Sequence, residues 1–575
     1  MPQRSGYVIV NPFCFKLLVL KGLALEPGRL TLKGRILKSA SLIALITLIS
    51  RICGYLRDQR IALLLGTSPA ADAFILAFRI PSLVRRMAGE GAFGGSFIPI
   101  FTSYLRDRSR EQAFRLARAI FWDIGLILTV IAILGVVFSR QIIYLFTVFS
   151  ASKVHWDLAV SLNRVIFPCV IFIGLAAVAA AVLNSFHIFA LPAATSIAFN
   201  LALIIFSLGI VYKPLISHLS GSLAVPAAAL AIGVLVGSVF QLLIQVPALA
   251  RRGFRFAPTV EFTDPGVRKV GRMMGPGIFA ACAYQVNFLL GTFFATSPRM
   301  PSGSVASLYV AERLMQLVLG SYAIAISTAL LPTMSHQAAA GNYAEMKQTF
   351  GFSLRIVSFI TIPAAVGLIL LREPIIQVLF QHGQFAARST ALTANALLYY
   401  ALGLPAYAAI WLITPMYYST QDTRTPARIG VYMIVANLIF NGVFLLFFYR
   451  KLSNGSPALA SSLCAYLNFV ALFSIFRSRY GRLGTRGIAA SITKTTICTV
   501  VMGAVAFATL LFWHIQAGAW HVTGQIGALA LMILAAVAVF LGLARLLRCE
   551  ELSEFLLLLR RAEPDAAPGT GYLAL

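Results

Sequence analysis

Ser50-Arg51-Ile52-Cys53-Gly54-Tyr55-Leu56-Arg57-Asp58-Gln59-Arg60-Ile61-Ala62-Leu63-Leu64-Leu65-Gly66 continues an apolar run that begins in the early forties. It sets three arginines and an aspartate in a stretch long enough to cross a bilayer. An ionisable side chain at the bilayer centre costs at least about 2.5 kcal/mol, so it turns toward a water-filled cavity or a partner. Arg51 and Asp58 are seven positions apart and share a helix face, with Gly54 between them and Arg57 beside them. That gives a wet sector on an apolar helix, where Gly54 allows a bend or a close approach. These residues could instead lie at headgroup depth and snorkel; the apolar sequence before Arg51 argues against this for Arg51.

Composition sets the class around this stretch. The 575 residues are 59% hydrophobic and only 11% charged, with a mean hydropathy of +0.84. Apolar runs recur from the forties to the five-forties, and about fourteen are of spanning length. The net charge of +28 would suggest nucleic acid in a soluble protein, but here it reads as the positive-inside rule, with no nucleic-acid partner. Basic residues crowd alternate connections: Arg106, Arg108, Arg110, Arg115 and Arg118; Arg251, Arg252, Arg255, Arg268, Lys269 and Arg272; Arg477, Arg479, Arg482 and Arg486; and Arg545, Arg548, Arg560 and Arg561. The intervening loops carry fewer, such as Lys153, Lys213, Arg299, Arg450 and Lys451. Both termini are therefore predicted to be cytoplasmic. Seven scattered cysteines without a CxxC indicate neither a disulfide framework nor a metal site. Residues 1–37 lack a signal peptide's order; Arg29, Lys33, Arg35 and Lys38 read as an anchor on anionic membrane lipids, or the extension reflects an overcalled start.

The second span holds Asp72, Arg79, Pro81, Arg85, Arg86, Glu90 and Pro99 among several glycines, the pattern of a bent, mobile helix. Arg79 and Arg86 share a face, and Arg86 and Glu90 can pair at i,i+4. Arg85 and Arg86 also fit an ordinary cytoplasmic basic pair. In the eighth span Glu312 and Arg313 could neutralise one another locally, a reading that the internal repeat argues against.

An internal repeat of about 233 residues organises the chain. Gly135-Val-Val-Phe-Ser-Arg140-Gln-Ile142-Ile143-Tyr-Leu-Phe146 matches Gly367-Leu-Ile-Leu-Leu-Arg372-Glu-Pro-Ile375-Ile376-Gln-Val-Leu-Phe380. Arg79 followed by Pro99 matches Arg313 followed by Pro332, and Pro192 matches Pro426. Six spans per repeat, an even number, give both halves the same orientation. The predicted fold is an all-α integral membrane protein of about 14 transmembrane helices: two six-helix lobes about a pseudo-two-fold axis along the membrane normal, a central cavity, and two C-terminal helices. The divisions are an extension at 1–37, an N-lobe at 38–248, a C-lobe at 249–487 that includes the preceding basic loop, appended spans at 488–548 and a cytoplasmic tail at 549–575. The repeat places Arg313 opposite Arg79 across the cavity.

Cationic residues poorly matched by nearby carboxylates point to an anionic substrate. Guanidinium keeps its charge in low dielectric and offers planar donors that match phosphate oxygens. A cavity for a cationic drug would need carboxylates, and Asp72, Glu90 and Glu312 are the candidates. No DxD or DD pair, HExxH, GxxxxGK[ST] or GxSxG occurs, which favours a carrier over an enzyme and calls for no cofactor.

Gly54-Tyr-Leu-Arg57-Asp58, Ala71-Asp72-Ala73-Phe74, Pro81-Ser-Leu-Val-Arg85-Arg86 and Glu90-Gly91-Ala92-Phe93 with Phe97-Ile-Pro99 resemble the MurJ (MviN-type) lipid II flippases of the multidrug/oligosaccharidyl-lipid/polysaccharide exporter superfamily. Glu312-Arg313-Leu-Met315, Leu330-Leu331-Pro332 and Gln421-Asp422-Thr-Arg424-Thr-Pro426 extend the resemblance, which covers roughly residues 38–548. It implies a flippase of the bacterial cytoplasmic (inner) membrane. Such a protein moves the polyprenyl-diphosphate-linked peptidoglycan precursor lipid II between leaflets by alternating access, with cell-wall synthesis machinery as a further partner. It also implies that Arg51, Arg57, Arg85 and Arg313 hold the headgroup, while Asp72, Arg86 and Glu90 support the cavity or its gates; the helix-face reading adds Asp58, Arg79 and Glu312 to the supporting set. Glu312 stands where an Asp is common. Some members bind sodium through carboxylates of the seventh and eleventh helices; here Gln285, Asn287, Asn437 and Asn441 occupy that region, so no metal is expected. A carrier for another polyprenyl-linked glycan would use the same physics. A cation-coupled drug exporter and a membrane glycosyltransferase are more distant alternatives.

Overall fold

A computed structural model of the chain describes residues 32–89, 92–147, 156–208, 224–481, 484–516 and 521–554, and every element in them is helical. The first half comprises α1 (Leu32–Leu65), α2 (Pro69–Gly89), α3 (Ala92–Asp107), α4 (Arg110–Val137), α5 (Ser139–Thr147), α6 (Trp156–Ile166), α7 (Cys169–Ser185), α8 (Ala190–Phe206), α9 (Ala224–Leu243) and α10 (Val246–Arg251). The second comprises α11 (Pro265–Ala295), α12 (Ser304–Ala339), α13 (Tyr343–Leu370), α14 (Arg372–Phe380), α15 (Ala387–Leu402), α16 (Leu404–Ser419), α17 (Arg424–Val443) and α18 (Ser456–Tyr480); α19 (Thr485–Gln516) and α20 (Val522–Leu546) follow. Among the described residues, seven stretches are long and apolar enough to cross a membrane, and an eighth is the pair α15–α16, bent by 44°. One of the seven, Arg424–Tyr480, is 57 residues long; in it α17 and α18 fold back on each other around a 3-10 turn at Ser453–Gly455. The 34-residue α1 and 36-residue α12 carry the arginines discussed above.

The repeat is visible in element boundaries. α4 and α13 are both 28 residues long and α5 and α14 both nine, each later element starting 233 residues after its counterpart. The N-caps correspond: the Ser109 side chain accepts from the Gln112 amide, and that of Asn342 from the Glu345 amide. Each satisfies one donor that the first helical turn leaves without a partner. The breaks correspond too, with Phe138 at φ −89°, ψ 15° and Leu371 at φ −93°, ψ 14°.

A continuous core runs through both halves, from Leu65, Phe74 and Ile166 to Met315, Tyr400, Tyr417 and Phe476. At the end of the bundle where the basic loops gather, Phe93, Phe97, Phe101, Phe114, Phe121 and Phe254 form a second cluster that also takes in Val270 of α11. The connection between the halves is strapped there: Arg110 donates to the Arg252 carbonyl at 2.8 Å, Arg115 pairs with Glu261 at 2.7 Å, and Asp123 accepts from the Glu261 amide at 3.1 Å. Asp264 then caps α11. At the same end Asp422 accepts from the Thr425 amide and hydroxyl and from Arg479. Burial pushes its carboxyl up, but these donors prevail and hold it below the ordinary carboxylate range.

α19 and α20 lie against α13 and α14 through Phe359, Leu371, Val378, Met502, Met532 and Phe540. Their outer faces are apolar, with Val500 67% and Leu534 63% exposed, the reverse of a water-facing surface and suited to lipid.

The repeat-related Gly135 and Gly367 differ in surroundings. A Cβ on Gly135 would overlap the buried Phe167 ring, whereas one on Gly367 meets nothing within 4 Å. Gly135→Ala is expected to cost about 1–3 kcal/mol through overpacking, and Gly367→Ala to be neutral or stabilising by up to about 1 kcal/mol. Thermal unfolding of the detergent-solubilised variants checks the contrast.

Candidate functional site

α1 and α12 run antiparallel on opposite sides of the seam between the halves, bridged by long side chains. In α1, Arg57 donates through Nε and Nη2 to Asp58 Oδ1, at 3.0 and 2.6 Å, and through Nη1 to Asn200 Oδ1 of α8 at 2.9 Å. Asn200 returns a bond to the Ser50 carbonyl at 3.2 Å, which fixes α8 to α1. Across the seam, the Tyr309 hydroxyl donates to Asp58 Oδ1 at 3.2 Å, and Arg313 Nε stands 3.7 Å from Asp58 Oδ2. Arg313 also donates to the Tyr309 hydroxyl at 3.2 Å and lies over its ring, 5.0 Å from the centroid.

A second cross-seam pair lies alongside. Arg79 of α2 donates to Glu312 Oε2 at 2.6 Å, to Thr292 Oγ1 at 2.7 Å and to the Phe288 carbonyl at 3.2 Å. Its guanidinium is 5.6 Å from the Tyr309 centroid. Arg79 and Arg313 therefore share one tyrosine ring, a favourable cation–π arrangement. Gln316 joins the two pairs by donating to Glu312 Oε1 at 2.7 Å and receiving Arg313 at 3.5 Å.

The expectation of poorly matched arginines needs correction. Asp58 serves Arg57 and Arg313, and Glu312 serves Arg79, so the carboxylates come from nearby in space rather than in sequence. Glu312 pairs with Arg79, not with its neighbour Arg313, because adjacent helical side chains point about 100° apart. Three arginines face two carboxylates, leaving one positive charge in surplus. The Arg57–Asp58 and Arg79–Glu312 side chains are only 10% exposed, while Arg313 is 30% exposed and reachable. Arg51, two turns before Asp58 and exposed, donates to the Gly320 carbonyl of α12 at 2.8 Å. Gly320 makes the seat: a Cβ there would lie 3.3 Å from Arg51 Nη2.

Asp72 sits apart from this cluster. At the start of α2 it accepts from the Gly303 and Ala306 amides, both at 2.8 Å, and so caps α12 from the other half. Glu90 and the side chains of Arg85 and Arg86 lie outside the described residues. Asn437 and Asn441, both buried, bond each other at 2.9 Å. That amide pair has no anionic ligand for a cation. Asn200, Thr292, Tyr309, Gln316 and Gly320 escaped sequence reasoning; the one available signal was the proximity of Tyr309 and Gln316 to Arg313 on a helix face.

A profile of the family described as Lipid II flippase MurJ matches residues 61–526. The chain is 32% identical over 514 residues to the probable lipid II flippase MurJ of Vibrio cholerae serotype O1, covering 86% of this chain and 94% of that one. It is 31% identical over 525 residues to that of Bdellovibrio bacteriovorus, covering 90% and 96%. Its fold is similar to a solved structure titled lipid II flippase MurJ, inward closed conformation, with a TM-score of 0.70, 24% identity and coverage of 88% and 98%. A multidrug resistance MATE family transporter in an inward-facing conformation is similar at TM-score 0.62 and 13% identity, with coverage of 83% and 99%.

Glu312→Ala would strand Arg79 in a dry site and is expected to cost about 3–5 kcal/mol, most of it recovered when Arg79→Met is added. A double-mutant cycle on thermal unfolding measures this. Gly320→Leu should evict the Arg51 guanidinium and lower transport about tenfold with little change in melting temperature; transport at the parent's rate would show that the seat is dispensable.

Proposed function

Because the chain belongs to the MurJ family of lipid II flippases, we propose that it carries lipid II from the inner to the outer leaflet of the bacterial cytoplasmic membrane by alternating access, as a carrier and not an enzyme. The observation that supports this most directly is that two arginines of the seam, Arg79 and Arg313, are each paired with a carboxylate of the opposite half. Asp58 and Glu312 stand in for an anion while the site is empty, and keep Arg313 and Arg79 in place. A diphosphate offers the same arginines more acceptor oxygens in bidentate geometry. As it takes them over, the bonds that tie the halves together are released, so that binding loosens the seam.

Charge count supports the same substrate class. The Tyr309 cluster has one positive charge in surplus, and the Arg51 guanidinium stands on the same helix as Asp58, two turns away, so the site favours an anion. In this reading Arg51, Arg57, Arg313 and, by family resemblance, Arg85 meet the headgroup, and the polyprenyl tail stays in lipid. Asp58, Asp72, Arg79 and Glu312 position or gate, as do Arg86 and Glu90 by resemblance. Membrane potential supplies about 2.3 kcal/mol for each charge crossing 100 mV.

The chain makes fourteen passes with both termini cytoplasmic, which puts the basic loops inside, on anionic lipid, and the turns at 66–68, 301–304 and 381–386 outside. The lobes divide at 38–248 and 249–487, with 488–548 appended and the flanking residues 1–37 and 549–575 cytoplasmic. Cell-wall synthesis enzymes are the partners that would consume the flipped precursor.

The test is lipid II sidedness in bacteria depleted of their own flippase and expressing this chain, read by an external enzyme that cleaves the headgroup. The parent chain is expected to restore outer-leaflet lipid II and growth. Arg51→Ala and Arg313→Ala should each lose both while reaching the membrane in normal amount; transport preserved in both variants would overturn the assignment.

A further inference from the structure

The halves meet at the end away from the basic loops by main chain against main chain, and three glycines make that approach possible. Gly66 follows α1 at φ 57°, Gly303 precedes α12 at φ 91°, and Gly383 lies between α14 and α15 at φ 61°. A Cβ on Gly66 would overlap the Gln384 carbonyl of the second half. One on Gly303 would overlap the Thr67 carbonyl of the first, and one on Gly383 would press on the Leu63 carbonyl. Two direct bonds cross beside them: the Gln384 amide to the Leu63 carbonyl at 2.9 Å, and the Thr67 and Ser389 hydroxyls at 2.8 Å.

A left-handed glycine after a helix is common and by itself means only that the helix ends there. Within this chain the comparison separates the two demands. Gly253, Gly341 and Gly484 have φ of 88°, 70° and 66°, and a Cβ on any of them would meet nothing within 4 Å. The left-handed backbone therefore does not by itself require the tight cross-seam approach found at Gly66, Gly303 and Gly383.

We propose that Gly66, Gly303 and Gly383 form the outer gate of the transport cycle, a close main-chain seal whose closed state depends on the absence of a Cβ at each position. The proposal rests on the alternating-access reading above. Parting this seal exchanges a short set of polar contacts for water: the amide–carbonyl bond, the hydroxyl pair and the two bonds from the Gly303 and Ala306 amides to Asp72. The glycines, free of Cβ restraint, let the turns separate. Any side chain at these positions holds the halves apart and biases the protein toward the outward-open state.

The test reads accessibility, not transport, so it is independent of what is carried. Gln59 lies one turn below Leu63 and donates to the Leu379 carbonyl across the seam at 3.0 Å. In the full chain, Gln59→Cys is labelled in whole cells with a membrane-impermeant maleimide, against the same chain with Gln59 retained as background. Gly66→Ala, Gly303→Ala and Gly383→Ala are each expected to raise outside labelling at least about tenfold. Gly253→Ala and Gly341→Ala, which impose the same backbone strain away from the seam, should leave it at the parent's value. Unchanged labelling in all three seam variants, or an equal rise in the two controls, would overturn the proposal. Should the seam variants fail to reach the membrane, Thr67→Cys combined with Ser389→Cys tests the same gate. Oxidising that pair should cut the labelling rate at position 59 about tenfold and reductant should restore it, while labelling that ignores the cross-link would equally overturn the seal.

Discussion

A guanidinium cannot shed its proton to escape a low-dielectric surrounding, so every arginine kept at membrane depth must be given an anion, a carbonyl or a ring face. The seam of this protein is the working-out of that constraint. Arg57 takes Asp58 and Asn200, Arg79 takes Glu312, Thr292 and the Phe288 carbonyl, and Arg313 takes what is left of Asp58 together with Tyr309. Buried ion pairs add little net stability over apolar packing of the same shape. Their retention between two bodies is better understood as a way of making adhesion depend on charge: the halves stay together while the carboxylates hold the arginines.

The same constraint decides what could be seen in the chain beforehand. Charged residues in an apolar run announce themselves, which is why Arg51, Arg57, Asp58, Arg79 and Arg313 stood out without coordinates. Their partners did not, because asparagine, threonine, tyrosine and glutamine are ordinary in membrane helices and gain meaning only where another helix approaches. The repeat argued against a local Glu312–Arg313 pair but did not name Arg79, 233 positions earlier, as the partner the carboxylate reaches. Gly320 carries no side chain and so no signal, although its bareness is what seats Arg51. The repeat, by contrast, was legible because it recurs at one offset, and the capped starts at Ser109 and Asn342 repeat it at the level of single hydrogen bonds.

Repetition of elements is not repetition of roles. Gly135 lets the Phe167 ring lie against α4, while its counterpart Gly367 meets open space. Arg79 and Arg313 lie over the same tyrosine ring, yet one is buried by its carboxylate and the other remains partly open. Duplication supplied two similar halves. Divergence then let the first half contribute Asp58 and the second Tyr309 to a site that neither half completes alone.

The appended pair α19–α20 leans on α13 and α14 of the second half. Its outward rows of Val500, Phe512, Leu531 and Leu534 widen that half's perimeter in the lipid. In a viscous film, two bodies that swing against each other divide the rotation inversely to their drag. The broader half turns less and the slimmer half turns more, so two helices packed on the flank of the second half set which side of the protein does most of the travelling.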